Sequence, residues 1–358
     1  MNHRTVAVHL PQYHPIPEND KWWGKGFTEW TNVAKSNPRF ANHYQPHLPA
    51  DLGFYDLRLP QTLNDQAALA KDHGIFGFMF YHYWFSGKRV LEKPIENYFE
   101  DKAIDFPFML CWANENWTRR WDGRENDILL SQEYSAEDDK RHFKTLLPYF
   151  LDDRYIRIND KPVFVIYRTE LFPDIVKTTE IWRQEALKSG VGDLYLIRVE
   201  SFKSGVIPAD IGFDASMEFQ PNWASLPKRY LPGKGKRAVD KLLGRKRFYL
   251  KDKIYSYSDL IENSLSSPRA SYLKYPTVTP MWDNSARRAE NATIFTGSSP
   301  SLYEYWLKES ISRFESPTPE ENLVFINAWN EWAEGNHLEP CQKWGRAYLE
   351  ATKRACGS

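Results

Sequence analysis

The sequence predicts an α/β fold, a single (β/α)8 TIM-like barrel with long loop insertions after strands 1 and 6. The chain has 358 residues, a length that fits one large α/β barrel or two ordinary domains. Short runs rich in Val, Ile and Phe alternate with longer polar stretches of helical period, which favours parallel strands joined by helical crossovers. Polar and aromatic clusters repeatedly follow the apolar runs, and in such a barrel the strand C-termini share the face where active sites lie.

The predicted strands are eight apolar runs, which is the number of strands in this barrel. In chain order they are residues 6–10, 75–81, 106–112, 162–167, 194–199, 213–218, 276–282 and 323–329. The helical candidates between and after them are residues 63–73, 136–151, 174–189, 301–314 and 344–355. No helical period is evident after strand 5.

Two insertions interrupt the alternation, and no repeat or linker divides residues 1–358, so we expect a single catalytic barrel domain. The stretch 15–60 holds the aromatic segment 22–30 and is predicted to form a wall or lid. The second insertion, at about 227–253, carries eleven Lys or Arg. It predicts peripheral contact with a membrane or lipid-linked glycan, and a solvated arm is an equally open alternative.

Composition favours a carbohydrate partner over nucleic acid. The formal net charge is zero, so no global field attracts a polyanion. Aromatic residues make up 15% of the chain, with 14 Trp and 20 Tyr, and many Trp stand beside Asn, Glu, Arg or His. Three cysteines without a spacing pattern argue against a disulfide framework. We therefore predict an oligosaccharide or polysaccharide substrate and no nucleic acid.

Cofactor, metal and membrane signals are missing from the sequence. There is no phosphate-binding glycine loop, no glycine-rich dinucleotide turn and no metal-ligand spacing among the nine histidines. The first residues lack the apolar core of a signal peptide, and no run approaches the ~20 apolar residues that cross a bilayer. We predict no cofactor, no metal and a cytoplasmic protein.

The segment 327–340 holds the catalytic candidates, Glu331 and Glu334. Glycoside cleavage generally uses two carboxyl groups, about 5–5.5 Å apart for retention and about 6.5–9.5 Å apart for inversion. Residues three apart in a strand point to opposite faces, so the chain must leave strand 8 near Glu331 and coil. Gly335 favours that turn. The alternative is that one carboxylate only caps or salt-bridges a loop.

The predicted substrate-binding residues follow the strands, where rings stack on sugar C–H faces and polar groups bind hydroxyls. They are Tyr13, His14, Tyr81, His82, Trp84, Trp112, Asn114, Glu115, Asn116, Trp117, Arg119, Tyr167, Glu218, Trp282, Asp283, Asn330 and Trp332, with Trp30 in the first insertion. A satisfied core histidine is the commoner role for either His, and Glu200, Gln220 and Asn284 are weaker candidates.

The segment 330–335 (NEWAEG) resembles the catalytic segment of glycoside hydrolase family 99, the endo-α-mannosidases. The whole chain is more similar to the WbsX-like family, often labelled glycosyltransferases and found with O-antigen genes. That similarity is carried by segments 9–14 (HLPQYH), 23–30 (WGKGFTEW), 112–117 (WANENW) and 327–332 (NAWNEW).

The resemblance implies a retaining glycoside hydrolase acting on a bacterial polysaccharide or O-antigen-type glycan. Glu331 would be the base on the sugar's own 2-hydroxyl, and Glu334 the general acid and then base. If the sugar differs from mannose at C2, Glu331 would instead be a direct nucleophile. Two alternatives remain open: a glycosyltransferase or transglycosylase in O-antigen, lipopolysaccharide or capsule synthesis, and a non-catalytic glycan-binding barrel.

Overall fold

The main sheet has eight strand positions in the predicted chain order. The computed structural model describes residues 3–119, 124–233 and 248–357. Strands 1 to 6 are Arg4–His9, Gly77–Phe85, Phe108–Trp112, Lys161–Ile166, Tyr195–Glu200 and Ala215–Glu218. Strand 7 has two segments, Lys274–Tyr275 and Thr277–Val278, and strand 8 is Leu323–Ile326.

These strands pair in parallel and form a nearly closed barrel. Strand 1 lies between strands 2 and 8, with Ala7 opposite Phe78 on one side and Ile326 on the other. The first segment of strand 7 pairs with strand 6 and its second segment with strand 8. Pro276 separates the segments because it has no N–H for a ladder, yet its carbonyl accepts the N–H of Phe325 at 2.9 Å. The predicted (β/α)8 barrel is confirmed.

Helices lie at the five predicted positions, and the described residues contain five further helices that the sequence pattern did not predict. In chain order, the described helices are Pro17–Trp23, Glu29–Lys35, Pro60–Asp72, Lys93–Glu100, Ala136–Phe150, Ile175–Lys188, Phe248–Lys251, Tyr257–Ser266, Pro300–Arg313 and Ala347–Cys356. Side-chain caps fix where crossover helices begin: Ser135 accepts the N–H of Asp138, and Asp174 accepts that of Lys177. Between strands 5 and 6 the chain forms only the 3₁₀ turn Pro208–Ile211, which explains the missing helical period.

Additional short strands form in the loops that follow the C-terminal ends of the barrel strands. Lys88–Val90 returns antiparallel along strand 2, which lengthens that strand to Phe85 instead of the predicted residue 81. Trp117–Arg119 pairs with Arg124–Leu130, Lys253–Ser256 with Thr293–Thr296, and Asn330–Glu331 with Asn336–His337. Arg157–Ile158 precedes strand 4.

Strands 7 and 8 end earlier than predicted. Strand 7 stops at Val278 instead of residue 282, and strand 8 stops at Ile326 instead of residue 329. Beyond Ile326 the N–H of Ala328 donates to the Asn336 side chain at 3.1 Å, while the N–H of Trp329 still donates to the Val8 carbonyl of strand 1 at 2.7 Å. The apolar run therefore continues past the strand because Ala328 and Trp329 are buried in a loop.

The basic insertion is described only at its two flanks, since residues 234–247 lie outside the described residues. At the flanks, the Arg229 guanidinium donates to the carbonyls of Tyr249 and Asp252 at 2.6 and 2.7 Å. The membrane-contact and single-domain expectations stay predictions. Within the described ranges, no helix is long and apolar enough to cross a membrane.

Candidate active site

A cavity of about 530 Å³ opens at the C-terminal ends of the barrel strands. Its wall comes from loops that follow strands far apart in the sequence, because parallel strands in a barrel bring their C-termini to one rim. The predicted residues that line it are Tyr81, Glu115, Asn116, Trp117, Tyr167, Trp282, Glu331 and Glu334. This volume falls within the usual range for small-ligand pockets, ~300–1,000 Å³.

Glu331 and Glu334 enter the cavity from one compact loop after strand 8. Glu331 ends the short strand Asn330–Glu331, and the chain then coils through the 3₁₀ turn Trp332–Glu334. Gly335 ends that turn with φ 56°, a left-handed conformation that glycine adopts without a Cβ penalty. The coil turns both carboxylates toward the same space.

Arg287, which the sequence did not single out, joins the two carboxylates. Its Nη2 lies 2.9 Å from Glu331 Oε2 and its Nη1 lies 2.7 Å from Glu334 Oε1. Its Nε lies 3.1 Å from Oε2 of a third carboxylate, Glu29. One guanidinium therefore separates Glu331 from Glu334 and fixes the orientation of both. The 3₁₀ turn Asn284–Ala286, which follows strand 7, presents Arg287 to the cavity.

Burial dominates the electrostatics of this cluster. It raises the pKa of Glu331 above its ordinary value, with Arg287 opposing the rise and the charges of Glu334 and Glu29 adding to it. Burial alone would lower the pKa of Arg287, but the carboxylates Glu29, Glu334 and Glu331 hold it well above its usual range. Glu331 is therefore a stronger base than an exposed glutamate, beside a guanidinium that stays charged.

Two groups of packed aromatic rings, here called the two walls, line the same cavity as the carboxylates. On the first wall, Trp117 packs edge-on against Trp22 at 5.9 Å and against Tyr83 at 5.3 Å. On the second, Trp223 packs edge-on against Trp282 at 5.2 Å. The Trp282 indole N–H has no hydrogen-bond partner among the described residues. Rings of this kind present apolar faces beside polar groups, which suits the C–H faces and hydroxyls of a sugar.

Several predicted residues hold the loop of Glu331 from behind. Tyr13, Asn330 and Trp332 are fully buried. The Tyr13 hydroxyl donates to the Asn330 carbonyl and accepts the Trp332 N–H. The Asn330 side chain makes two hydrogen bonds to the backbone of Leu10. Its Oδ1 accepts the Leu10 N–H at 2.7 Å, and its Nδ2 donates to the Leu10 carbonyl at 3.1 Å. Trp30 packs on Trp332, with ring centroids 5.6 Å apart.

Another group of predicted residues, His82, Trp84 and Trp112, lies in strands 2 and 3 and packs against the helix Ala136–Phe150. His82 Nε2 is 3.0 Å from His142 Nε2, and burial lowers the pKa of His82 to about 3. Trp84 donates its indole N–H to Asp138 at 2.8 Å, and Trp112 donates its own to the Trp84 carbonyl at 3.2 Å. These side chains are buried away from the cavity surface.

The remaining predicted residues are dispersed. Asn114 is buried and accepts the N–H of Arg168 at 2.8 Å. Glu218 pairs with Lys274 at 3.2 Å. Burial lowers the pKa of His14 to about 4. Asp283 lines a separate cavity of about 110 Å³, and the Arg119 side chain lies outside the described residues. Apart from Arg119, the residues named in this paragraph do not line the main cavity. Direct contact with substrate stays a prediction for every site residue.

Glu339 supports the loop from below and was not among the predicted site residues. It is 2% exposed and accepts hydrogen bonds from Gln66 at 2.6 Å, Tyr55 at 2.7 Å and Trp332 at 2.6 Å. Burial raises its pKa to about 7, with these donors opposing the rise. Its place in sequence, just before Pro340, carries no signal of this role. In the described part of the chain, no group of three or more His, Cys, Asp or Glu is arranged to hold a metal.

The fold resembles solved glycoside hydrolases. A structure titled "Glycoside hydrolase-like protein" superposes with a TM-score of 0.63 and 13% identity, covering 99% of this chain and 94% of that one. The GH99 endo-α-mannosidase from Bacteroides thetaiotaomicron, in complex with bis-tris propane, superposes with a TM-score of 0.59 and 12% identity, covering 100% and 97%. At these identities the similarity shows a shared barrel fold.

Relatives found by sequence have a much higher identity to this chain than the solved structures have. The uncharacterised protein WxcX of Xanthomonas campestris pv. campestris (strain B100) is 44% identical over 354 residues, which cover 98% of this chain and 49% of that protein. The chain thus spans about half the length of the curated relatives it matches. The profile of the family described as "Glycosyltransferase WbsX" matches residues 5–352. The chain therefore belongs to the WbsX glycosyltransferase family.

Proposed function

We propose that the protein is a retaining glycoside hydrolase-like enzyme that cleaves a glycosidic bond in a bacterial polysaccharide or O-antigen-type glycan with Glu331 and Glu334. The supporting observation is that both carboxylates line one aromatic-walled cavity and share the guanidinium of Arg287. A carboxylate pair at the rim of a barrel, beside rings that can stack on sugars, is the arrangement that such cleavage requires.

In the first step, Glu331 takes the proton of the sugar's 2-hydroxyl, whose oxygen attacks C1. The C1–O bond to the leaving group breaks, and Glu334 donates its proton to the departing oxygen. The product is a 1,2-anhydro sugar. Once ionised, Glu331 is a stronger base than an exposed glutamate because burial raises its pKa, and the 2.9 Å ion pair with Arg287 favours its ionised form.

In the second step, Glu334 takes a proton from water, and the water oxygen attacks C1. The C1–O2 bond breaks and O2 recovers its proton from Glu331. Two inversions at C1 give net retention. Arg287 stays bound to whichever carboxylate is ionised, so charge passes between Glu331 and Glu334 without leaving either one unpaired.

A second candidate is transfer to a sugar acceptor, which the family description favours. The same two steps pass the glycosyl group to a sugar hydroxyl when that hydroxyl replaces water. Both aromatic walls and both carboxylates line one cavity of about 530 Å³, so an acceptor sugar would enter the same space that holds the donor.

The test is incubation of the protein with polysaccharide from its own host, with and without nucleotide sugars, followed by mass spectrometry. We expect new reducing ends without a nucleotide donor. Elongation that needs such a donor would favour the transferase. Glu334→Gln should abolish either reaction and leave glycan binding nearly intact. The matched control is Glu180→Gln, an exposed glutamate on the helix Ile175–Lys188, which should keep wild-type activity.

A further inference from the structure

We propose that Glu29 is a positioning residue of this site: it shares Arg287 with Glu331 and Glu334, and its charge keeps one proton on that pair. The inference rests on the proposed function and assigns a role to the first loop insertion. Glu29 itself stays away from the sugar, because its side chain is fully buried.

The geometry places Glu29 on the opposite edge of Arg287 from the cavity pair. Each guanidinium nitrogen is taken by a different carboxylate: Nε by Glu29, Nη2 by Glu331 and Nη1 by Glu334. Were all three ionised, the cluster would carry two net negative charges with its side chains 0–21% exposed. A buried excess of charge is costly, and a proton bound to one carboxyl relieves it.

Two cations favour the ionised form of Glu29: Arg287, whose Nε lies 3.1 Å from Glu29 Oε2, and Lys35 on the same helix. Glu29 is the first residue of the helix Glu29–Lys35. Thr28 caps this helix, and the helix packs on the turn Trp332–Glu334. Burial raises the pKa of Glu29, while the ion pair with Arg287 and the charge of Lys35 oppose the rise.

The titratable and charged groups facing Glu29 come from every neighbouring element. They are Arg287 after strand 7, Glu331 and Glu334 after strand 8, Tyr13 after strand 1, Tyr83 in strand 2 and Lys35 on its own helix. Burial raises the pKa values of both tyrosines, so they stay neutral and cannot replace the charge of Glu29. The proton that offsets the excess charge therefore binds a carboxyl, and in this proposal that carboxyl is Glu331 or Glu334.

The charge of Glu29 affects the proton that the first step requires. A negative charge beside Glu331 and Glu334 disfavours full ionisation of the pair, so one of them holds a proton to higher pH. The mechanism needs one ionised and one protonated carboxyl at the start. Removing the charge of Glu29 should let this proton leave at lower pH.

The test is the pH profile of kcat/KM for the wild type, Glu29→Gln, Glu29→Met and Glu29→Asp. For each neutral variant we expect both limbs to move about one to two units toward lower pH. Glu29→Asp keeps the charge and should keep limbs near the wild-type positions. One neutral variant that folds is enough for the test. If the acid and alkaline limbs of its pH profile lie at the wild-type pH values, the inference is wrong. A purely structural role lowers kcat without moving the limbs.

A measurement without substrate separates this inference from the proposed function. A folded wild type that cleaves and transfers nothing would refute the proposed function. In that case, the pH dependence of the unfolding free energy between pH 6 and 8 still tests whether the folded cluster holds an extra proton. Because the folded cluster holds a proton that the unfolded glutamates release, wild-type stability should fall as pH rises. The fall should be smaller in Glu29→Gln or Glu29→Met, and equal slopes would overturn the inference.

Discussion

The backbone N–H of Asp283 lies 2.6 Å from the carbonyl oxygen of Glu334, which joins the loops after strands 7 and 8 at the proposed general acid. Asp283 is itself fixed, since its Oδ2 accepts hydrogen bonds from His43 at 2.6 Å and Gln45 at 2.8 Å. Burial alone would raise the pKa of Asp283, but the bond from His43 helps hold it below its ordinary value. Three loops therefore set the position of Glu334.

Gly335 allows this close contact, so Gly335→Ala should displace Glu334. A Cβ there would lie 3.0 Å from Asp283 Cβ and 3.0 Å from its carbonyl oxygen, at φ 56°. The matched control is Gly345→Ala, with φ 51° and open space around the Cβ. Both variants incur the left-handed cost of about 1–3 kcal/mol. Only Gly335→Ala should lose more stability in urea unfolding and most of its activity; equal losses would contradict the role of the Asp283 contact.

Arg287→Met should destabilise the protein at neutral pH and abolish activity. It leaves the buried carboxylates Glu29, Glu331 and Glu334 without their cation, a change that costs about 3–5 kcal/mol. The deficit should shrink toward pH 4, because protonated carboxyls no longer need the cation. The control is Arg313→Met, whose exposed pair with Glu309 contributes about 0–1 kcal/mol. A deficit independent of pH would argue against this charge role.

Glu339 should make stability fall as pH rises. Its folded pKa of about 7 lies above the unfolded value of about 4.3, so the folded state binds the extra proton between these values. The stabilisation is present below pH 4.3 and is lost as pH rises to about 7, by roughly 3 kcal/mol. Urea unfolding at pH 4.5 and 7.5 should show this loss in the wild type, and Glu339→Gln should lack it. The same slope in both proteins would assign the proton to another group.

Trp117→Ala should weaken glycan binding while leaving the fold intact. Trp117 is half-buried in the first aromatic wall, against Trp22 and Tyr83. Loss of one stacking ring typically raises Kd by about tenfold, or about 1.4 kcal/mol. Calorimetric titration in the Glu334→Gln background gives Kd without turnover. Tyr305→Ala, an exposed ring on the helix Pro300–Arg313, is the control and should not change Kd.

The barrel was predictable from sequence because parallel strands in a barrel are buried on both faces and appear as continuous apolar runs. The ends of strands 7 and 8 were not, because burial continues past the last strand residues, Val278 and Ile326. Apolar runs report burial, and burial alone does not distinguish a strand from a packed loop such as Ala328–Trp329.

The place of Glu331 and Glu334 in one cavity could be predicted from their spacing in the sequence, while their catalytic roles stay a prediction. Arg287 and Glu29 were missed because they meet only in three dimensions, 258 residues apart in the chain. A lone arginine after strand 7 gives no sequence signal of three carboxylate partners. Conversely, Trp112 and His82 occur in motifs typical of sugar sites, but in the structure both are buried against His142 of the helix Ala136–Phe150.

The most direct test of the carboxylate pair is the anomeric configuration of the first product, followed by ¹H NMR during cleavage of a defined oligosaccharide. Two displacements at C1, first by the sugar's own O2 and then by water, with Glu331 and Glu334 transferring the protons, predict a product that first appears with the configuration of the bond cleaved, in the wild type and in Glu180→Gln. A product that first appears inverted would contradict the proposed roles of both residues.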